Sequence, residues 1–112
     1  MTTPLQELKS AFFRTLAHPA RIRMLELLTI RDRSVGELQT ELGLQQPIVS
    51  QHLAALRARH IVTVRRQGAQ SFYALSSPLM ADLLAVARAF LTHHLGEHRS
   101  MLRELQRERR RA

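Results

Sequence analysis

The chain has 112 residues, the length of a single domain, and its 17 Lys and Arg residues outnumber its 9 Asp and Glu residues. A net charge of +8 on so small a chain indicates a polyanionic partner, with nucleic acid the usual one and an anionic membrane the alternative. The sequence has no run of about 18 apolar residues and no signal-peptide pattern, so we expect no membrane span and no secretion. Because cysteine is absent, disulfides, thiolate metal sites and thiol redox chemistry are excluded, and the expected location is the cytoplasm.

Two helices are predicted in the first 30 residues. Thr3 is a suitable N-cap with Pro4 at the first helical position, and apolar residues recur at helical spacing from there to Leu16. His18-Pro19 ends this helix and begins a second one, whose apolar residues also follow helical spacing. Residues 31–33 are predicted to be a short polar loop.

The next two helices lie close together in the sequence. Ser34 and Glu37 have the spacing of a capping box, and Gly43 is a natural end for the helix that they begin. Pro47 fits the first position of a further helix that is predicted to run to about His60. The connection of about three or four residues is typical of a helix-turn-helix motif.

The remaining pattern predicts a β-hairpin and a long helix. Residues 61–67 and 70–75 are rich in β-branched and aromatic residues, with Gly68 suited to the turn between them. A final helix is predicted over 78–106, and residues 107–112 are expected to fray. The order α-α-α-α-β-β-α is that of a winged helix, and we predict one winged-helix domain over 1–112.

The second helix of a helix-turn-helix motif lies in the major groove of DNA. Leu53 and Leu56, with Val49, are expected to anchor it to the core, which turns uncharged polar residues outward to pair with base edges. Arginines around this surface would contact phosphates. The predicted DNA contacts are Gln46, Pro47, Ser50, Gln51, His52, Arg57, Arg65, Arg66 and Gln67. The simpler interpretation is a solvated helix face, but the adjacent capped helix, the tight turn, the hairpin and the excess of Arg favour DNA.

Several stretches resemble the ArsR/SmtB family of bacterial winged-helix repressors. Residues 16–28, LAHPARIRMLELL, look like the second helix of that family, and residues 34–38, SVGEL, resemble its third. Residues 49–57, VSQHLAALR, look like its recognition helix, and residues 64–73, VRRQGAQSFY, resemble its wing. The wing departs from the pattern, because Ala and Gln follow the turn glycine where relatives often carry Arg.

The resemblance implies a homodimer built from the first and last helices, 3–17 and 78–106. Such a dimer would bind an imperfect palindrome with half-sites ~34 Å apart and would repress transcription until an effector binds. Packing inside one chain is the alternative for the apolar residues of these helices. The residues expected at the interface are Leu5, Leu8, Phe12, Leu83, Ala87, Phe90 and Leu91.

The resemblance also implies a possible metal site, because some members of the family bind metal ions through carboxylate and imidazole ligands on the last helix. Asp82 and His98 match that pattern, but Leu84 and Leu95 occupy the other two positions, so the regular site is broken. Nickel or zinc would still accept a local cluster of imidazoles and a carboxylate, although a solvated His cluster is the simpler interpretation. The members of this cluster are His93, His94, Glu97 and His98.

Other origins of a regulatory signal remain open. An organic ligand between protomers is one, and a separate sensor protein docked on the Arg-rich segment 97–111 is another. An enzyme is not expected, because no Gly-rich phosphate loop or nucleophile–base set is present. The competing function is a dimeric protein-interaction module with little DNA binding of its own, and RNA binding is disfavoured because no aromatic stacking platform is evident.

Overall fold

The computed structural model describes residues 1–111. It confirms the predicted order of helices and hairpin strands and adds one short strand. Within the described residues the elements are α1 (Pro4–Leu16), α2 (Pro19–Ile30), β1 (Arg33–Ser34), α3 (Val35–Leu42), α4 (Gln46–Ala58), β2 (Val62–Gln67), β3 (Gln70–Leu75) and α5 (Pro78–Arg111).

The additional strand corrects the prediction of a loop over residues 31–33. Arg33 pairs antiparallel with Tyr73, and Ser34 pairs with Phe72, giving a three-stranded sheet in the order β1-β3-β2. Two residues are too few to show a period in the sequence, because only the pairing with a distant strand defines them as β structure. The hairpin itself is as predicted, with Gly68 at φ 65° and Gln67 opposite Gln70.

Two helix ends differ from the predictions. α4 ends at Ala58 rather than near His60, because His60 takes a left-handed φ of 58°. The last helix continues to Arg111 and is therefore longer than the predicted 78–106, while Ala112 lies outside the described residues. Glu104 pairs with Arg107 across one turn (Oε2–Nη1 3.3 Å), and arginines at a helix C-terminus interact favourably with its dipole.

Buried leucines hold α4 in place. The side chains of Val49, Leu53 and Leu56 are 0% exposed, as the anchoring prediction requires. They share the core with residues of α2 and α3 and with the start of the hairpin, namely Met24, Leu25, Leu28, Leu38, Ile61 and Val62. Residues 1–81 form one compact unit, and α5 from Asp82 onward forms a second. The prediction of a single domain over 1–112 stays a prediction.

The N-terminus of α3 is fixed by reciprocal hydrogen bonds. Ser34 Oγ accepts from the backbone N–H of Glu37 at 3.2 Å, and Glu37 Oε1 accepts from the backbone N–H of Ser34 at 3.3 Å. Arg31 Nη1 lies 2.6 Å from Glu37 Oε2. The hydrogen bond from Arg31, followed by the backbone bond from Ser34, lowers the pKa of Glu37 below its usual value of 4.5. The bond from Arg31 and the cap at Ser34 therefore both favour the ionised carboxylate of Glu37.

We expect Glu37→Gln to reduce the acid sensitivity of folding. A carboxyl whose pKa is lowered by folding stabilises the native state above its unfolded pKa, and this contribution is lost as the pH falls through the folded value. In urea unfolding at pH 6 and pH 3.5, the wild type should lose more stability than Glu37→Gln does. Glu41→Gln, an exposed change in the same helix, should behave as the wild type, and equal losses in all three proteins would contradict the role of Glu37.

Candidate nucleic-acid interface

The outer face of α4 carries uncharged polar residues above the three buried anchors. Gln46, Pro47 and Gln51 are exposed, and Ser50 is half-buried beside them. Gln46 Nε2 donates to Ser50 Oγ at 3.0 Å, so these two side chains present their remaining donors and acceptors together. Amide and hydroxyl groups of this kind can pair with base edges in a major groove.

A groove separates the outer face of α4 from the sheet. This open groove has a volume of about 400 Å³ and is lined by Ser50, Ala54, Arg57, Ala58 and Tyr73. The two alanines leave the groove open, and Tyr73 forms its far wall. Tyr73 was not among the predicted DNA contacts. Its pairing with Val64, in a strand that begins buried at Val62, places it on the inner side of the sheet.

The two wing arginines differ in their surroundings. Arg65 Nε lies 3.4 Å from Asp32 Oδ2, and Arg65 Nη1 donates to Gln67 Oε1 at 2.7 Å. The Arg65 guanidinium also lies 4.9 Å from the centre of the Phe72 ring. Arg66 is exposed and makes no ion pair within residues 1–111. Arg66 is therefore the freer of the two cations.

His52 lies on the flank of α4 that faces α2. Its Nδ1 accepts a hydrogen bond from Arg21 Nε at 3.0 Å, and its ring meets His18 edge to face with 4.4 Å between the ring centres. Burial lowers the pKa of His52 below 6.5, and the neighbouring His18 and Arg21 lower it further. These surroundings therefore favour the neutral form of the ring at pH 7.

The apolar residues predicted for a dimer interface are largely uncovered in the single chain. On α1, Leu5 and Leu8 are 59% and 60% exposed, and Phe12 is half-buried. On α5, Phe90 and Leu91 are 67% and 55% exposed. Ala87 is also exposed, and Leu83 is half-buried. The alternative of packing inside one chain does not account for the most exposed of these side chains.

The candidate metal ligands do not come together within one chain. His93 Nε2 pairs with Glu97 Oε1 at 3.0 Å, while His94 stacks on Phe90 with 6.4 Å between the ring centres. His98 is exposed. Residues 1–111 contain no group of three or more His, Asp or Glu side chains placed to hold a metal ion. Within the same residues no helix is both long and apolar enough to cross a bilayer.

The geometry defines a winged helix-turn-helix protein, with α4 as the exposed second helix and β2–β3 as the wing. Residues 18–64 match the family described as bacterial regulatory protein, arsR family. The uncharacterized HTH-type transcriptional regulator Rv0081 of Mycobacterium tuberculosis is 50% identical over 103 residues, which cover 91% of this chain and 90% of that protein. Its crystal structure aligns with a TM-score of 0.83 over 87% of this chain and 98% of its own.

Two further relatives extend the comparison. The homodimeric winged helix-turn-helix DNA-binding domain Mb0332 of Mycobacterium bovis, solved by NMR, aligns with a TM-score of 0.76 and 25% identity over 85% of this chain and 92% of its own. The biofilm growth-associated repressor of Agrobacterium fabrum is 44% identical over 71 residues, 63% of this chain and 61% of that protein. The chain belongs to the ArsR family and is a DNA-binding transcriptional regulator, which confirms the resemblance found in the sequence.

Proposed function

We propose that this regulator is a homodimeric repressor that reads an imperfect palindrome with the outer face of α4 and works in the cytoplasm. The observation that carries the proposal is the uncharged face of Gln46, Ser50 and Gln51 above anchors that are 0% exposed. Base reading needs side chains that both donate and accept and that are held rigidly, and this face supplies both.

Dimerisation through α1 and α5 is supported by their exposed leucines and phenylalanines and by the homodimer of the Mb0332 domain. A two-fold axis would present two copies of α4 to successive turns of the same DNA face. Repression is supported by the repressor among the relatives, and no residue of the chain fixes the sign of regulation.

The regulatory signal has three candidate sources, which are a metal ion, an organic ligand and a sensor protein. A nickel or zinc ion would have to draw ligands such as His93, Glu97 and His98 from two chains, because one chain does not assemble them. An organic ligand between protomers or a sensor protein on residues 97–111 is the alternative source of the signal. Fluorescence anisotropy with DNA from upstream of the gene, at fixed salt, should show tight and specific binding after chelation.

The same titration with nickel, zinc or cobalt added distinguishes these sources. A change with one metal would assign the signal to the histidine cluster, and no change would assign it to an organic ligand or a partner protein. The absence of any specific binding would contradict the proposal and favour the protein-interaction module.

We expect Arg66→Ala to weaken binding to all DNA sequences alike and to flatten its salt dependence. Each phosphate neutralised contributes about 0.9 to the slope of log K against log salt, so a dimer lacking Arg66 should lose about two units. Arg23→Ala is a matched control, because Arg23 is exposed and pairs with Glu26 in α2 (3.7 Å). An unchanged slope in Arg66→Ala would remove Arg66 from the phosphate contacts.

A further inference from the structure

Arg21 connects three helices. Its Nη1 donates to the backbone oxygen of Thr15 near the end of α1 at 3.1 Å, and its Nε donates to His52 Nδ1 on α4 at 3.0 Å. Both bonds are made by a half-buried guanidinium that makes no ion pair within residues 1–111. Nothing in the sequence distinguishes Arg21 from the other arginines, and its contact with the recognition helix is seen only in the structure.

The bond from Arg21 selects one tautomer of His52. A ring nitrogen that accepts a hydrogen bond carries no proton, so the proton of the neutral imidazole must lie on Nε2. Within residues 1–111 this Nε2 makes no hydrogen bond, and it is accessible to solvent. His52 therefore presents a directed N–H donor at the surface.

The position of His52 suits a contact with the DNA backbone. Ser50 and Arg57 line the groove beside Tyr73, whereas His52 lies on the opposite flank of α4, against His18 and Arg21 of the α2 region. A helix in the major groove places its flanks beside the two phosphate strands, and phosphate contacts fix its register and orientation.

We infer that His52 donates its Nε2–H to a DNA phosphate at the edge of each half-site and that Arg21 is a positioning residue that holds this donor in place. The inference rests on the proposed DNA-binding function. His18 and Arg21 are the titratable or charged groups that face the His52 ring, and both are basic, so the cluster offers no carboxylate to compete with the phosphate.

The first test compares the salt dependence of operator binding in Arg21→Met and Arg23→Met, which remove the same charge from the same helix. Loss of a positioned donor to a charged group should weaken specific binding about tenfold at each half-site, and therefore about a hundredfold for the dimer. Because the contact is made by a neutral ring, the slope of log K against log salt should match that of Arg23→Met. A slope that falls by the amount seen in Arg66→Ala would show that Arg21 binds phosphate itself and would overturn the positioning role.

The second test uses the histidine directly. His52→Leu should lose about tenfold in affinity at each half-site, about a hundredfold for the dimer, whereas His52→Gln, whose Nε2 is also a donor, should keep most of the affinity. Arg21→Met should add little to His52→Leu. Nitrogen-15 NMR of the free wild-type protein should show Nε2 protonated and Nδ1 unprotonated, with a mixed signal in Arg21→Met. Wild-type affinity in His52→Leu would reject the inference alone, while failure of the wild type to bind any operator would reject the proposed function.

Discussion

Gln51→Ala should cost about 1–3 kcal/mol of binding free energy at each half-site and should relax base preference at a single position there. Gln51 is exposed on α4 between half-buried Ser50 and half-buried His52, and a glutamine amide can pair with adenine through one donor and one acceptor. Its side chain makes no hydrogen bond within residues 1–111, so its removal should leave folding unchanged.

The comparison requires a matched set of DNA duplexes, each changed at one position of the half-site. Gln106→Ala, which removes an exposed glutamine from α5, should bind every duplex as the wild type does. If Gln51→Ala weakens binding to all duplexes by the same factor, Gln51 contacts the backbone rather than a base and its base-reading role fails.

Leu91→Glu should convert the dimer to a monomer and lower operator affinity by about a hundredfold or more. Leu91 is 55% exposed in the single chain, so the change should not disturb the core of residues 1–81. A buried carboxylate at an apolar interface is costly, and two linked recognition helices bind DNA more tightly than one by the avidity that linkage provides, ~10²–10⁴.

Ala89→Glu is the control, because it adds the same charge to the same helix. Ala89 lies on the side of α5 opposite the apolar stripe. Sedimentation equilibrium and operator titration should give wild-type values for Ala89→Glu and monomers with weak binding for Leu91→Glu. A dimeric Leu91→Glu protein with full affinity would show that the interface lies elsewhere.

Features that depend on residues close together in the sequence could be predicted from the sequence. Ser34 and Glu37 lie three residues apart, so their capping box is visible before folding, and the four-residue spacing of Val49 and Leu53 already defines the buried side of α4. β1 could not be predicted, because it exists only through its pairing with β3, and the paired residues Arg33 and Tyr73 lie 40 positions apart in the sequence.

Contacts of long sequence separation also change the role of individual side chains. Arg65 and Arg66 are equivalent in the sequence, yet the bond to Asp32 distinguishes them. The pairing of Arg21 with His52 is likewise a product of the packing of α2 on α4, and no spacing rule connects the two residues. The predicted DNA contacts on α4 and the wing stay predictions.

Selection of bound duplexes from a randomised DNA library, followed by sequencing, tests the central claim most directly. A dimer that reads DNA with α4 should enrich an inverted repeat whose half-sites lie about 10 base pairs apart, or a multiple of that distance. Gln51→Ala should enrich the same repeat with one position relaxed in each half. If the wild type binds DNA in this selection but enriches no sequence, the result would contradict sequence reading by this helix.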